Sequence, residues 1–307
     1  MTLEFEKIFP LRPQLPLPNG VAEKELFDWL KNVCVEGAPK KEMEQYCTSD
    51  FRRFIYTFGL VNESISLQGG GRCLELGSNP YFTTMLLKNF TSIDLTLANY
   101  FEERHPNGVF SQKVNCLEFY PQKQEDAKKH KINFHYHHFN IEEDDFPFED
   151  GSFHIVLFCE IIEHLLMNPV KVLLEIRRIL KPGGQLILTT PNVSRLENVA
   201  RMLSGTNIYD PYSGYGPYGR HNREYNKHEL HLLLNYLGFT IRTMFTADVH
   251  ENNTSGFFDL SGIINTLKFR EADLGQYIFL RAARENTGKT KKPAWLYRSY
   301  PQDELDG

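Results

Sequence analysis

Three residues that can titrate or bind a metal close one apolar run of this chain. FHIVLFC at 153–159 is followed by Glu160, Glu163 and His164 in the string CEIIEH. In a helix, positions i, i+3 and i+4 share a face, so two carboxylates and an imidazole would point the same way. Oxygen-rich sets of this kind suit Mg²⁺ or Mn²⁺, and the imidazole also admits Zn²⁺. The same groups could instead touch a cofactor or solvent and brace the next helix. A second histidine, His221, stands further on in RHNREY. A cation chelated by neighbouring hydroxyls would lower their pKa. Without one, His164 or His221 can act as a general base, because imidazole titrates near neutrality.

Such residues need a frame that brings a strand end and a distant loop together. From RCLELG onward, short apolar runs alternate with amphipathic segments, the pattern of a mostly parallel sheet with crossover helices. Strands are expected near 72–76, 91–95, 132–139, 153–159, 185–190, 239–246 and 275–282. Helices are expected near 80–89, 169–180, 194–203 and 227–237. Asn168-Pro169 reads as an N-cap with proline in the first turn, and KPGG at 181–184 as the end of that helix. Ligands collect at the carboxyl ends of such strands. There the first strand ends in ELGSNP, where Gly77 allows a tight turn, and Asp94 closes the expected second strand, where a carboxylate can accept from two ribose hydroxyls. A surface aspartate beside an ordinary strand–turn–helix is the alternative reading.

The main domain is expected over 61–284. Before it come a proline-rich arm in the first twenty residues and two helices, near 22–34 and 40–58, making an N-terminal extension over 1–60. Two stretches break the alternation, a polar insertion at 104–131 and a Tyr/Gly-rich one at 205–225. Tyrosines in the second could stack on a sugar ring or a base, or pack on one another. Tyr215 and Tyr218 lie nearest His221, with Arg220 and Arg223 available for a phosphate or carboxylate. The tail, 285–307, carries the basic TGKTKKP and reads as solvated. With 307 residues, 41% of them hydrophobic, the chain can fill one large core, and a net charge of −5 does not suit a dedicated nucleic-acid binder. Five scattered cysteines without a C-x-x-C pair indicate neither a disulfide frame nor a thiolate zinc site. With Glu4 and Glu6 at the start and no long apolar run, a soluble cytoplasmic protein without a membrane span is expected.

LELGSNP, SIDL, FNIEEDDFPFEDGSFHIVLFCEIIEHL and VLLEIRRILKPGGQLILTTPN resemble, in order and spacing over about 71–192, the class I S-adenosylmethionine-dependent methyltransferases. The resemblance implies an α/β enzyme with a Rossmann-like seven-stranded, mostly parallel sheet, its last strand antiparallel, and helices on both faces. S-adenosyl-L-methionine is the implied cofactor. Glu75 and Gly77 would then lie at its methionine part, Asn79 would offer an amide where a second glycine is usual, Asp94 would hold the ribose, and Asn140 with Ile141 would flank the adenine. His154 stands where aspartate is usual and reads as structural. E-x-x-E-H with the later H-x-x-E-aromatic resembles the metal-dependent small-RNA terminal methyltransferases, which implies Glu160, Glu163, His164 and His221 as ligands of Mg or Mn. E-x-x-E-H is also similar to the ubiquinone-pathway O-methyltransferases. The stretch NVSRLENVARMLSGTNIYDPYSGYGPYGRHNREY looks like bacterial methyltransferases associated with surface-polysaccharide synthesis. The leading expectation is O-methylation of a hydroxyl on a sugar or glycosylated intermediate. RNA 3′-end ribose methylation and a non-catalytic cofactor-binding scaffold stand beside it.

Overall fold

A computed structural model describes residues 13–101, 106–120 and 127–306, so the first twelve residues of the expected arm lie outside the described residues. The helix α1 (Glu23–Leu30) buries Leu26, Trp29 and Leu30. The two-residue strand β1 (Cys34–Val35) separates it from the long helix α2 (Lys40–Gln68). Gly69 ends α2 at φ 72°, a left-handed conformation that glycine adopts without a Cβ clash. Then follow β2 (Arg72–Leu76), α3 (Phe82–Phe90), β3 (Asp94–Asn99), β4 (Gly108–Leu117), β5 (Lys129–His138), β6 (Phe153–Cys159), α4 (Pro169–Ile179) and β7 (Leu180–Pro191). The chain closes with α5 (Leu196–Ser204), α6 (Lys227–Tyr236), β8 (Phe239–Ala247), α7 (Ile264–Lys268), β9 (Tyr277–Arg284) and the small pair β10 (Lys292–Pro293) and β11 (Leu305–Asp306).

The main sheet runs β1-β4-β5-β3-β2-β6-β7-β9-β8. From β5 to β7 the neighbours are parallel, while β9 is antiparallel to both β7 and β8, as expected. The sheet has nine strands rather than seven, because β4 pairs antiparallel with β5 along its whole length and β1 adds to β4. The expected insertion at 104–131 therefore holds a strand. Only Val114 and Cys116 of β4 are buried, and so little apolar surface leaves no strand signal in the sequence.

Helices cover both faces of the sheet. One core packs α1, α2 and α3 on it, the other packs α4 and α6 on the opposite face, and a third small core joins α5 to α7. The N-terminal extension is thus one layer of the molecule, and α2 runs without a break through the boundary expected at residue 60. The Asn168 side chain caps α4 by accepting from Lys171 N–H, and Pro169 occupies the first turn. KPGG forms an irregular start to β7, between the pairings Phe153–Leu180 and Ile155–Gln185.

One shift of register moves a predicted site residue. β3 begins at Asp94, because Thr91 still closes α3 through its N–H to the Leu87 carbonyl. Asp94 pairs in register with Arg72, the first residue of β2, and so sits at the amino edge of the sheet. Its side chain is 73% exposed and lies 3.8 Å from the Arg72 guanidinium. It cannot hold a ribose at the carboxyl edge. His154 lies at the amino edge too, where its Nδ1 accepts from Arg72 N–H, in keeping with a structural role. Among the described residues no helix is long and apolar enough to cross a membrane.

Candidate active site

At the carboxyl ends of β2, β3 and β6 lies a cleft of about 190 Å³. Gly77 lines it at φ 67°, a left-handed conformation that side chains rarely adopt, and a Cβ there would stand 2.9 Å from the Ile161 side chain. The end of β3 presents Asn99 and Tyr100 in the place expected of Asp94. The Asn99 Oδ1 accepts from Ser78 Oγ and from Asn79 N–H at 3.2 and 2.9 Å, which ties the turn after β2 to β3. The Asn79 amide is turned away, donating to Gln112 Oε1 of β4 at 3.0 Å, and the Tyr81 hydroxyl donates to the same oxygen at 2.8 Å. Asn140 and Ile141 line the cleft as expected. The Asn140 Oδ1 accepts from Glu142 N–H, and its side-chain amide nitrogen faces the Tyr218 hydroxyl at 3.4 Å. Tyr218, whose ring meets Tyr100 edge-on, is therefore a wall of this cleft. Glu75 is buried one residue before the end of β2, where Thr84 Oγ1 donates to it at 2.6 Å and burial pushes its pKa up to about 8.

CEIIEH does not continue as an α-helix. Glu160 takes φ 55°, and Ile162–His164 form a single 3₁₀ turn. Glu163 is fully buried; its Oε2 accepts from Thr190 Oγ1 at 2.9 Å, and its Oε1 has no hydrogen-bond partner. That oxygen lies 3.8 Å from His164 Nε2. The His164 Nδ1 is 2.9 Å from the Arg220 carbonyl, so Nδ1–H donates and Nε2 keeps a lone pair. His221 is arranged in the same way, with Nδ1 2.9 Å from Glu224 Oε1. The two rings meet at 5.0 Å and 78°. One ligand atom from each of Glu163, His164 and His221 falls within 4.8 Å of the others. Glu160 is not part of this cluster; its Oε1 accepts from Thr189 Oγ1 at 2.8 Å. The four-ligand expectation is thus reduced to three residues brought together, because the left-handed turn at Glu160 sends its side chain elsewhere.

The charges in this cluster are strained by burial. Desolvation raises the Glu163 pKa well above the usual carboxylate range, and the nearby Glu160 adds to the rise. Burial and the neighbouring His221 lower that of His164. Burial also acts to lower that of His221, but the Glu224 carboxylate outweighs it and the net shift is upward.

His221 and Glu224 also line a second cleft of about 630 Å³, together with Tyr209, Arg223, Glu229 and Trp295. Among the four residues expected at the acceptor, only Arg223 lines it, held by Glu229. Arg220 stacks on Tyr212 at 4.6 Å, and Tyr209, Tyr212 and Tyr215 are 81%, 91% and 92% exposed, while Asp210 Oδ2 ties the loop to His221 by accepting from its backbone N–H at 3.0 Å. Glycine and proline between the tyrosines leave no periodic apolar face to pack. Tyr225 is a core residue. Trp295, on the tail that reads as solvated, also lines this cleft; its sequence signal is the aromatic run AWLY.

The sheet order defines a Rossmann-like α/β fold, and the cleft lies at the carboxyl edge where ligands collect in such sheets. Residues 97–188 match the family described as a methyltransferase domain. Solved structures are similar to the chain at low identity. A chain from the complex between the Haloferax volcanii Trm112 methyltransferase activator and its methyltransferase is 13% identical, with a TM-score of 0.45 over 85% of this chain and 98% of that one. A SAM-dependent methyltransferase from Archaeoglobus fulgidus is 15% identical, with a TM-score of 0.40 over 74% and 94%. The YcgJ protein of Bacillus subtilis is 14% identical, with a TM-score of 0.42 over 76% and 99%. The chain matches no curated protein.

Proposed function

We propose that the protein transfers a methyl group from S-adenosylmethionine to a hydroxyl of a sugar or glycosylated intermediate, with a divalent cation, Mg²⁺ or Mn²⁺, held by Glu163, His164 and His221. One observation carries this reading. Both imidazoles have their Nδ1 protons engaged, so two Nε2 lone pairs remain beside the unpartnered Glu163 Oε1, in the wall between the two clefts. Histidine ligands are oriented in this way by carbonyl or carboxylate partners. When bound, the cation would lower the pKa of an acceptor hydroxyl and keep Glu163 ionised.

The adenosyl end belongs in the 190 Å³ cleft, with Asn99 and Tyr100 at the ribose and Asn140 and Ile141 at the base. Gly77 then faces the sulfur. The acceptor enters the 630 Å³ cleft, where Trp295 and Tyr209 offer aromatic faces and Asp210, Glu229 and Arg223 offer hydrogen bonds. Methyl transfer would break the cofactor's S–CH₃ bond as the O–CH₃ bond forms, leaving a neutral thioether, with the hydroxyl proton passing to water. Glu224, bonded to Nδ1, orients the His221 ring so that Nε2 is left for the cation. Carboxylates at the cleft favour a neutral sugar over a polyphosphate chain. The five free cysteines suit a reducing compartment, and a cytoplasmic location belongs to the same reading.

The test is transfer of labelled methyl to nucleotide sugars, lipid-linked glycans and short RNAs. Methylated glycan, loss of turnover on chelation and its recovery with Mg²⁺ or Mn²⁺ are expected. His221→Ala should abolish metal binding and leave the cofactor affinity within about threefold. Methylation confined to RNA 3′ ends would replace the acceptor, and full turnover after exhaustive chelation would remove the metal.

A further inference from the structure

The cofactor cleft does not end at Gly77. A smaller cavity of about 90 Å³ continues from it, the two sharing Leu76, Gly77 and Glu160. Arg53 and Tyr46 line this cavity, and both belong to α2, which precedes the residues that match the methyltransferase domain. Arg53 is only 5% exposed. Its Nε donates to Asp50 Oδ1 at 2.8 Å, and its Nη2 donates to the Tyr46 hydroxyl at 2.6 Å. Those bonds engage two of the five N–H donors of a guanidinium. Burying a charge is costly unless it is paired and its donors are satisfied, so a cation with unspent donors on a cavity is placed for an anion. Glu160 lies on the same cavity and interacts with Arg53 electrostatically, yet no contact within ion-pair distance joins the two.

We propose that Arg53 is a binding residue for the cofactor's amino-acid end, taking its carboxylate, while Glu160 faces its ammonium group. This rests on the cofactor reading of the larger cleft. An α-amino acid carries its two opposite charges one carbon apart, and the cavity is lined by the complementary pair. The nucleoside is then held by the sheet and the amino acid by the N-terminal helix. Arg53 also gives Glu160 a task other than metal binding, which agrees with its position outside the Glu163–His164–His221 cluster.

Calorimetric titration with three ligands separates the possibilities: S-adenosylhomocysteine, its decarboxylated counterpart, and 5′-methylthioadenosine, which lacks the amino acid. A hydrogen-bonded charge pair is lost in Arg53→Gln, so S-adenosylhomocysteine should bind about tenfold to a hundredfold more weakly. The same loss should appear when the wild-type protein is given the decarboxylated ligand. Arg53→Gln should no longer distinguish those two, and 5′-methylthioadenosine should bind both proteins within about twofold. Arg53→Lys, which keeps the charge without the planar fork, should fall between. Equal weakening of all three ligands by Arg53→Gln would mark a structural role and overturn the proposal, as would undiminished discrimination. If Arg53→Gln does not fold, the wild-type protein and Arg53→Lys decide it: no discrimination by the first, or full discrimination by the second, overturns it. Binding of none of the three by folded wild-type protein would remove the cofactor reading instead.

Discussion

Glu75 is the residue whose ionisation the fold changes most legibly. Its pKa rises from 4.5 to about 8 because burial penalises the carboxylate more than the Thr84 hydrogen bond favours it. Between those values the folded state holds a proton that the unfolded chain has released, so stability falls as pH rises. The contribution is whole below about 4.5, declines across the window and is gone above about 8, on the order of a few kcal/mol. Glu75→Gln keeps an acceptor for Thr84 and removes the titration. Its melting temperature should therefore exceed the wild-type value at pH 8 and match it at pH 4.5; equal melting temperatures at both would show that the carboxyl is not held neutral. In the sequence Glu75 resembles a ligand-facing acid, and the burial that sets its charge is visible only in the packing around β2.

At the scale of elements, β4 does what the glycine-rich turn usually does for itself. Asn79 and Tyr81 both hold Gln112 Oε1, and Asn99 holds Asn79 and Ser78, so the turn over Gly77 is pinned from two strands. Gln112→Ala removes the acceptor of two hydrogen bonds, each worth about 1 kcal/mol net. Affinity for S-adenosylhomocysteine should drop about threefold to thirtyfold while the circular dichroism spectrum stays unchanged, as calorimetry and spectroscopy would report. Unaltered affinity would mean that the turn holds its shape without β4. None of this was legible in 104–131, since β4 shows solvent most of its residues and the pairing that defines it comes from β5.

The whole molecule is closed by its tail. The Tyr297 hydroxyl donates to Asn168 Oδ1 at 2.8 Å and accepts from Val170 N–H at 3.2 Å, which fastens residues 292–306 to the start of α4. Tyr297→Phe leaves a buried N–H unpaired and should lower stability by about 1–3 kcal/mol, measured by urea unfolding. Trp295, two residues earlier, lines the larger cleft and is half exposed. Trp295→Ala should leave stability nearly unchanged and raise the acceptor KM severalfold with the cofactor KM unaltered. A change in the cofactor KM alone would place the acceptor elsewhere.

Local chemistry determined much of this from the sequence. Apolar runs alternating with amphipathic ones specify parallel strands and crossover helices, Gly77 marks a turn that admits no side chain, and Glu163, His164 and His221 are recognisable as metal-capable groups. These features depend on period and residue type within a few positions of each other. What the tertiary structure decided depends on register and on contacts between distant segments. A three-residue delay in the start of β3 carries Asp94 to the wrong edge and brings Asn99 to the cleft. The Arg220 carbonyl and Glu224 set which nitrogen of each histidine is free, the left-handed turn removes Glu160 from the cluster, and packing of α2 and the tail brings in Arg53 and Trp295. A side chain's neighbours across the fold follow from how whole elements pack, and no spacing along the chain encodes that.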